Sequence, residues 1–156
     1  MDDRLAIALR YAAGRNQIAL RFAPVADPET GAVAGFVVRP YWAHPERGLL
    51  PPEAFLPLAE SIDLADDLGA WTVELACEAV AGWGGEALDA LAFVAVVVAP
   101  SVADADALAE RARVAAEVAG LPPDRLLLTA LGGPTPQVED VPAEEARALL
   151  TGARVP

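Results

Sequence analysis

The residues of this chain that could do chemistry are few and lie far apart in the sequence. Its only histidine, His44, could act as a general base or a metal ligand, and its only cysteine is Cys77. Cys77 lies among apolar residues in an acidic stretch, which predicts inert packing, because a reactive thiol needs a positive environment. Ser101 follows a proline and has no histidine near it in the sequence, so nothing marks it as a nucleophile.

Arg39 has a candidate role in binding. It shares strand parity with Val37 and Tyr41, so the three side chains should point to one face of a strand. Two interpretations stay open: Arg39 binds an anion there, or it pairs with a nearby carboxylate or extends its head group to water. Four carboxylates near the carboxyl end could form a weak cation site, although a solvated loop and a helix start explain them without one. They are Glu139, Asp140, Glu144 and Glu145.

The composition is that of one globular domain. The chain has 156 residues, 54% of them apolar and 22% charged, and a formal net charge of −12. Such a charge predicts neither nucleic acid nor an anionic membrane as a partner. A single cysteine excludes an internal disulfide and leaves no cysteine cluster for zinc, so we expect a reducing cytoplasm. The amino terminus lacks a signal-peptide pattern, and the longest apolar run, Leu91 to Ala99, is too short to span a bilayer.

Hydrophobic periodicity predicts helices alternating with strands. In chain order these are a helix from Leu5 to Ala12, paired antiparallel strands from Ile18 to Pro24 and from Val33 to Trp42, helices from Pro52 to Ile62 and from Leu64 to Gly82, a strand from Leu91 to Ala99, a helix from Asp104 to Ala119, a strand from Leu126 to Leu131, a loop from Gly132 to Val141 and a helix from Pro142 to Leu150. Leu108, Ala112, Ala115 and Val118 should face inward, as should Trp71 and Leu75. The order predicts an α/β fold of about four strands, the first hairpin antiparallel and the remainder parallel, with outer helices.

The stretch from Val33 to Glu60 resembles the signature segment of the EAL family, bacterial phosphodiesterases that hydrolyse cyclic di-GMP. The resemblance runs from about Leu5 to Leu131, leaving a divergent tail from 132 to 156. It rests on the order and spacing of several short motifs. These are Pro24-Val25, Thr30-Gly31, Gly35, Trp42, His44-Pro45-Glu46, Pro52-Glu53-Ala54-Phe55, Pro57-Leu58-Ala59-Glu60, Leu68-Gly69-Ala70-Trp71, Ala76-Cys77 and Trp83. It implies a single domain over 1–156 with a partial TIM-barrel-like EAL fold, and a structural role for the His44-Pro45 turn.

The same resemblance implies that the catalytic residues are missing. Val37 stands where the family has its metal-binding signature Glu, and Tyr41 where an Arg holds substrate phosphate. The other positions read Ala23 for a Gln, Val98 or Ala99 for a metal-binding Asn, Thr129 for a metal-binding Glu and Gly132 for a second Glu. The family's later motifs, including a strand that bears a lysine, have no counterpart here. Mg²⁺ or Mn²⁺ needs several hard oxygen ligands, so we expect no metal, no cofactor and no hydrolysis.

The resemblance therefore implies a degenerate, truncated EAL-like domain that is not an enzyme. Its four strands would leave a barrel of about eight strands open, so we expect a protein partner or self-association to cover the rest. Any ligand or partner should meet the former active-site face, which is Val37, Arg39, Tyr41, Val98 and Thr129. The alternative is a receptor that binds cyclic di-GMP or another nucleotide without hydrolysing it, although the charge of −12 disfavours cyclic di-GMP binding. An active phosphodiesterase ranks last.

Overall fold

The centre of the molecule is one mixed sheet. The computed structural model describes residues 3–133 and 139–152. The strands are β1 (Ile18–Ala26), β2 (Val33–His44), β3 (Gly48–Leu50), β4 (Phe93–Val98) and β5 (Leu126–Ala130). Their order is β1-β2-β4-β5, with β3 beside β2. β1 and β2 run antiparallel, while β2, β4 and β5 run parallel, which confirms the predicted α/β sheet. The sequence does not predict β3, because three residues are too few to display alternation.

The helices surround this sheet and agree with the predicted order except at one point. They are α1 (Asp3–Ala12), α2 (Pro52–Ser61), α3 (Ala65–Ala81), α4 (Gly85–Ala90), α5 (Asp106–Ala119) and α6 (Ala143–Leu150). The additional helix is α4, which begins at Gly85 and has no counterpart in the predicted order. No helix of the described ranges is long and apolar enough to cross a bilayer.

The side chains of the sheet point to two opposite faces. We call the face that carries Val37, Arg39 and Tyr41 the inner face, and the opposite one the helix face. On the helix face, Phe22, Phe36 and Trp83 form a cluster with ring centroids 5.5 to 5.9 Å apart. Trp83 follows α3, so this cluster fixes the end of that helix against β1 and β2.

The predicted helix faces hold in part. On α3 the buried positions include Leu68, Val73 and Val80, and Trp71 and Leu75 are partly buried and pack against the core. On α5, Leu108, Ala112 and Ala116 are buried, but Val118 is 85% exposed, so its predicted inward orientation is wrong. At about 100° per residue, Val118 lies about 200° around the helix from Ala116 and must face outward. The many alanines of α5 leave the inward face ambiguous in the sequence.

The chain returns from β5 to the far edge of the sheet. There Val141 forms an isolated bridge with Phe22 of β1: the amide of Phe22 donates to the Val141 carbonyl at 2.7 Å, and the amide of Val141 donates to the Phe22 carbonyl at 2.8 Å. α6 follows, with Ala146 and Leu150 buried against the core. This return satisfies backbone groups on the outer edge of β1 that would otherwise be free to pair with another chain.

Gly35 is required where β2 meets β4. A Cβ at this position would lie 2.4 Å from the carbonyl oxygen of Phe93 and 2.6 Å from its ring, so the strands could not keep their separation. We expect Gly35→Ala to lower the free energy of unfolding by about 1–3 kcal/mol. Urea denaturation followed by circular dichroism measures the loss. Gly85→Ala is the control, because its Cβ would meet no atom within 4 Å; an equal loss in both variants would contradict the explanation.

Candidate functional site

The inner face is built from alternate residues of β1 and β2. Val37, Arg39 and Tyr41 follow one another on β2, as their parity predicts, and lie opposite Ala23, Arg21 and Ala19 of β1. Two arginines, Arg21 and Arg39, are therefore direct cross-strand neighbours. Like charges in this arrangement repel, so the pair requires a counter-charge.

Asp140 supplies that counter-charge. Its Oδ1 accepts a hydrogen bond from Arg21 Nε at 3.0 Å, and its backbone carbonyl accepts one from Arg21 Nη2 at 3.1 Å. Its Oδ2 accepts a bond from the Tyr41 hydroxyl at 2.7 Å and lies 4.0 Å from Arg39 Nη1. We call these four residues the Asp140 cluster. The Asp140 side chain is only 13% exposed, so this carboxylate is committed to the cluster and does not lie in a solvated loop.

Arg39 joins the cluster to the start of α2. Its Nη2 donates to Oε1 of Glu53, and its guanidinium lies 5.7 Å from the centre of the Tyr41 ring. Of the two interpretations left open by the sequence, the structure therefore shows the pairing with carboxylates. The position of Glu53 in the first turn of α2 follows from Pro51 and Pro52, which begin the helix directly after β3.

Burial and the hydrogen bond to Asp140 raise the pKa of Tyr41, while the nearby Arg39 acts in the opposite direction. The phenol therefore remains protonated at neutral pH and acts as a donor. Asp140 receives hydrogen bonds from two different side chains and a further positive charge from Arg39. On the inner face, several hydrogen-bond donors thus point toward one carboxylate. This is the arrangement of an anion-binding site, and the bound anion is a side chain of the same protein.

The other predicted site residues divide between the two faces. Thr129 pairs with Val97, and this register places it on the inner face. Val98 lies on the helix face, since a Cβ at Gly69 of α3 would lie 3.6 Å from a methyl group of Val98. The expectation that Val98 shares a face with Val37 is therefore wrong; among the residues of β4, Ala95 and Val97 share that face. A strand that is apolar at every position gives no sequence signal for which residues face which way.

The inner face does not fit a divalent cation. The positions at which the family resemblance implies metal ligands are apolar or neutral, and Val37 is 7% exposed with no atom that could coordinate. Among residues 3–133 and 139–152, no three His, Cys, Asp or Glu side chains come together in a way that could hold a metal ion. Asp140 is already satisfied by Arg21 and Tyr41.

His44 has a structural role. Its Nδ1 accepts hydrogen bonds from the amides of Glu46 and Arg47, both at 3.1 Å, and so fixes the turn between β2 and β3. Its ring lies against Trp42, with centroids 5.0 Å apart. An imidazole held in this way orients the chain, and it lies at the start of the turn and not on the inner face.

Cys77 is buried, with 2% of its surface exposed. Burial, followed by the charges of Glu74 and Glu78, raises the pKa of its thiol to about 11. We therefore expect the folded protein to resist a disulfide reagent such as DTNB near pH ~8, whereas the unfolded chain reacts at once. Because the pKa of this thiol is higher in the folded protein, the folded state binds the proton more tightly than the unfolded chain does. This contribution to the free energy of unfolding is complete below the unfolded pKa of about 8.5 and is lost as the pH rises toward about 11. Rapid labelling of the native protein would contradict this assignment, and Cys77→Ala should remove the pH effect.

Known proteins resemble the chain in both sequence and fold. Residues 6–132 match the family model described as EAL domain. The bifunctional diguanylate cyclase/cyclic di-GMP phosphodiesterase MucR of Pseudomonas aeruginosa is 37% identical over 81 residues, which cover 51% of this chain and 12% of MucR. The solved PaMucR phosphodiesterase in its c-di-GMP complex is 30% identical with a TM-score of 0.69, covering 80% of this chain and 50% of that one.

The EAL domain of FimX from Xanthomonas citri, solved in complex with c-diGMP, has a TM-score of 0.65 at 22% identity and covers 82% of this chain and 49% of that chain. This second likeness supports the fold alone. The chain spans about half of these solved chains and between 10% and 17% of the curated relatives that it matches. The mixed sheet, with its antiparallel first pair and parallel remainder, is the part it shares with these TIM-barrel-like domains. Because one family model covers residues 6–132 and the fold agrees with a solved member at 30% identity, the chain belongs to the EAL domain family.

Proposed function

We propose that this chain is a catalytically inactive EAL domain that acts in the cytoplasm as a protein–protein interaction or regulatory module. The observation that carries the proposal is the composition of the inner face. Val37, Val97 and Thr129 occupy it, and the carboxylate that lies there, Asp140, is held by Arg21 and Tyr41.

Hydrolysis of a phosphodiester by a metal-dependent route needs a cation that activates water and neutralises the leaving oxygen. Val37 has no lone pair to offer such a cation, and Asp140 would have to give up two side-chain donors to become a ligand. Releasing it would also leave Arg21 and Arg39 facing each other without their counter-charge. These costs support a domain that retains the EAL fold but does not catalyse hydrolysis.

Surfaces suited to protein contact lie away from the inner face. On the outer surfaces of α1 and α5, Ile7, Tyr11 and Val118 are each more than half exposed. Within the described residues, the outer edge of β5 has no strand beside it. Exposed apolar side chains that adjoin one another are typical of interaction sites, and a sheet edge can accept a further strand.

A hydrolysis assay tests the proposal. With cyclic di-GMP and an excess of Mg²⁺ or Mn²⁺, we expect no linear product, while the EAL domain of MucR serves as the positive control. Val37→Glu should remain inactive, because one carboxylate does not make a cation site when Thr129 and Val97 supply no second carboxylate beside it. Turnover by the wild-type chain above the buffer rate would refute the proposal.

The Asp140 cluster favours a second candidate, a receptor that binds cyclic di-GMP without hydrolysing it. Arg21, Arg39 and Tyr41 place donors around one carboxylate, and the same donors would suit a phosphate oxygen if Asp140 moved away. Both MucR and FimX are described in complex with this dinucleotide. The net charge of −12 and the bonds that hold Asp140 oppose such binding.

Calorimetry distinguishes the two candidates. For the interaction module we expect no saturable heat with cyclic di-GMP, either for the wild type or for Asp140→Asn. Saturable binding by the wild type, lost in Arg21→Gln, would favour the receptor instead. Binding by Asp140→Asn alone would show that the donors can hold a phosphate but that the native chain does not use them.

A further inference from the structure

The outer surface of α3 and α5 carries an apolar groove. It encloses about 660 Å³ between the carboxyl-terminal halves of the two helices. Its apolar lining consists of Cys77, Ala81, Val114, Ala115, Val118 and Ala119. Val114 is 45% exposed and Val118 is 85% exposed, so these side chains contribute little to the core of their own chain. The groove is on the helix face of the sheet, so it is separate from the Asp140 cluster.

One wall of the groove is acidic. Glu74 and Glu78 of α3 line it and are spaced four residues apart, so their like charges repel on the helix surface. Neither has an ion pair within the described part of the chain. On the opposite wall the charges are already balanced, because Arg111 pairs with Asp67 and Arg113 with Glu110 and Glu117. The groove therefore combines exposed apolar side chains with an uncompensated negative wall.

The same chain carries a surface of complementary character on α1. Ile7 is 59% exposed and Tyr11 is 56% exposed, and their spacing of four residues puts them on one stripe of the helix. Arg15 lies beside this stripe, with its guanidinium 5.3 Å from the centre of the Tyr11 ring. Arg10 precedes Tyr11 on α1, and its Nη2 donates to the neutral carbonyl of Ile62 at 3.0 Å, so its positive charge is not neutralised there. The buried residues of α1, Leu9 and Ala12, face the other way. The stripe is apolar and flanked by positive charge.

We propose that α1 of one copy of this chain docks into the α3–α5 groove of a second copy. The proposal names the partner of the proposed interaction module and so rests on that function. In this contact Ile7 and Tyr11 enter the groove beside Val114 and Val118, and Arg10 and Arg15 face Glu74 and Glu78. An amphipathic helix in an apolar groove, read through side chains four residues apart, is a recurrent mode of protein recognition.

This contact joins two different surfaces, so each copy offers one helix and one groove. In a dimer, each copy can place its α1 in the groove of the other. Alternatively, successive copies can join head to tail in an open assembly. α1 has ten residues, about 15 Å of helix, so the buried area is small and the association should be weak. Charge pairs contribute to it, while the net charge of −12 on each copy opposes it.

Sedimentation velocity on the full chain tests the contact. Between about 10 µM and about 1 mM, we expect the average mass of the wild type to rise with concentration. Val118→Glu, which places a charge in the groove, and Ile7→Glu, which places one on the helix stripe, should each weaken association at least tenfold. Leu49→Glu is the matched control, because Leu49 is 50% exposed on β3, outside both surfaces. It should associate like the wild type.

Mixing the two variants gives the decisive result. Ile7→Glu keeps an intact groove and Val118→Glu keeps an intact α1, so an equimolar mixture should form a dimer with one contact and grow no further. A mixture that associates no more than either variant alone would overturn the proposal, as would a wild type that stays monomeric throughout the concentration range. A monomer without cyclic di-GMP turnover refutes only this contact. Turnover by a self-associating wild type refutes the inactive module instead.

Discussion

Trp83→Ala is expected to lower the free energy of unfolding by about 3–5 kcal/mol. Trp83 is 6% exposed and contacts the rings of both Phe22 and Phe36. Its removal leaves a cavity where the end of α3 meets β1 and β2, and the aromatic contacts that orient this end are lost as well. Urea denaturation followed by far-ultraviolet circular dichroism measures the change.

The matched control is Trp71→Ala, on α3, the helix that Trp83 follows. Trp71 is only partly buried, so its truncation should cost clearly less than that of Trp83. Trp83→Phe should recover part of the loss, because a smaller ring can still meet Phe22 and Phe36. Equal losses in the two alanine variants would show that the cluster has no special place in the stability of the fold.

Asp140→Ala is expected to lower the free energy of unfolding by about 2–3 kcal/mol. The substitution removes the acceptor of Arg21 and of the Tyr41 hydroxyl together, and it leaves Arg21 and Arg39 side by side on adjacent strands. The arginine side chains are 30% and 23% exposed, so water offsets part of the loss and the effect stays below that of a fully buried pair.

Two variants separate the charge from the position. Glu139→Ala removes the neighbouring exposed carboxylate and should change stability by less than about 0.5 kcal/mol. Asp140→Asn keeps an acceptor of similar shape but loses the charge, so its loss should lie between those of the alanine variant and the wild type. If Glu139→Ala lowered the free energy of unfolding as much as Asp140→Ala, the total negative charge of this segment would explain the loss better than the contacts of the Asp140 cluster.

The phenol of Tyr41 provides an independent reading of the same cluster. In the wild type its pKa is raised by burial and by the bond to Asp140, so absorbance near 295 nm should report one tyrosine that ionises late. Loss of Asp140 should bring that ionisation to lower pH, since it removes a hydrogen bond and a negative charge that both raise the pKa of the phenol. A raised folded pKa means that this contribution to stability is complete below the unfolded pKa of about 10 and is lost above it.

The sequence predicted the parts of this fold in which its pattern shows which face of a strand each residue occupies. Alternation along β2 placed Val37, Arg39 and Tyr41 on one face, and the short loop after β1 predicted the antiparallel pair. Gly120, the residue that ends α5, has a φ of +79°, the left-handed conformation that favours glycine.

The failures occur where that information is absent. In the apolar run of β4 every position is hydrophobic, so the sequence could not tell Val97 from Val98, and the structure assigns them to opposite faces. Alanine-rich α5 gave no clear inward stripe, which is why Val118 was misplaced. The partnership of Arg21 with Asp140 links positions 119 residues apart, a distance over which local pattern gives no information. The one indication of this partnership is the pair Arg21 and Arg39, which lie opposite each other and require a negatively charged partner from another part of the chain.

The bridge between Phe22 and Val141 also bears on how the chain folds. It joins the first strand to a segment that a ribosome delivers more than a hundred residues later, so this contact must close a loop that includes almost all of the sheet. Closing a loop of this length costs conformational entropy, so we expect it to follow the formation of the local helices and the first hairpin. Until then the outer edge of β1 has no partner. A nascent chain thus passes through a stage in which it already has a sheet but has not yet protected that edge.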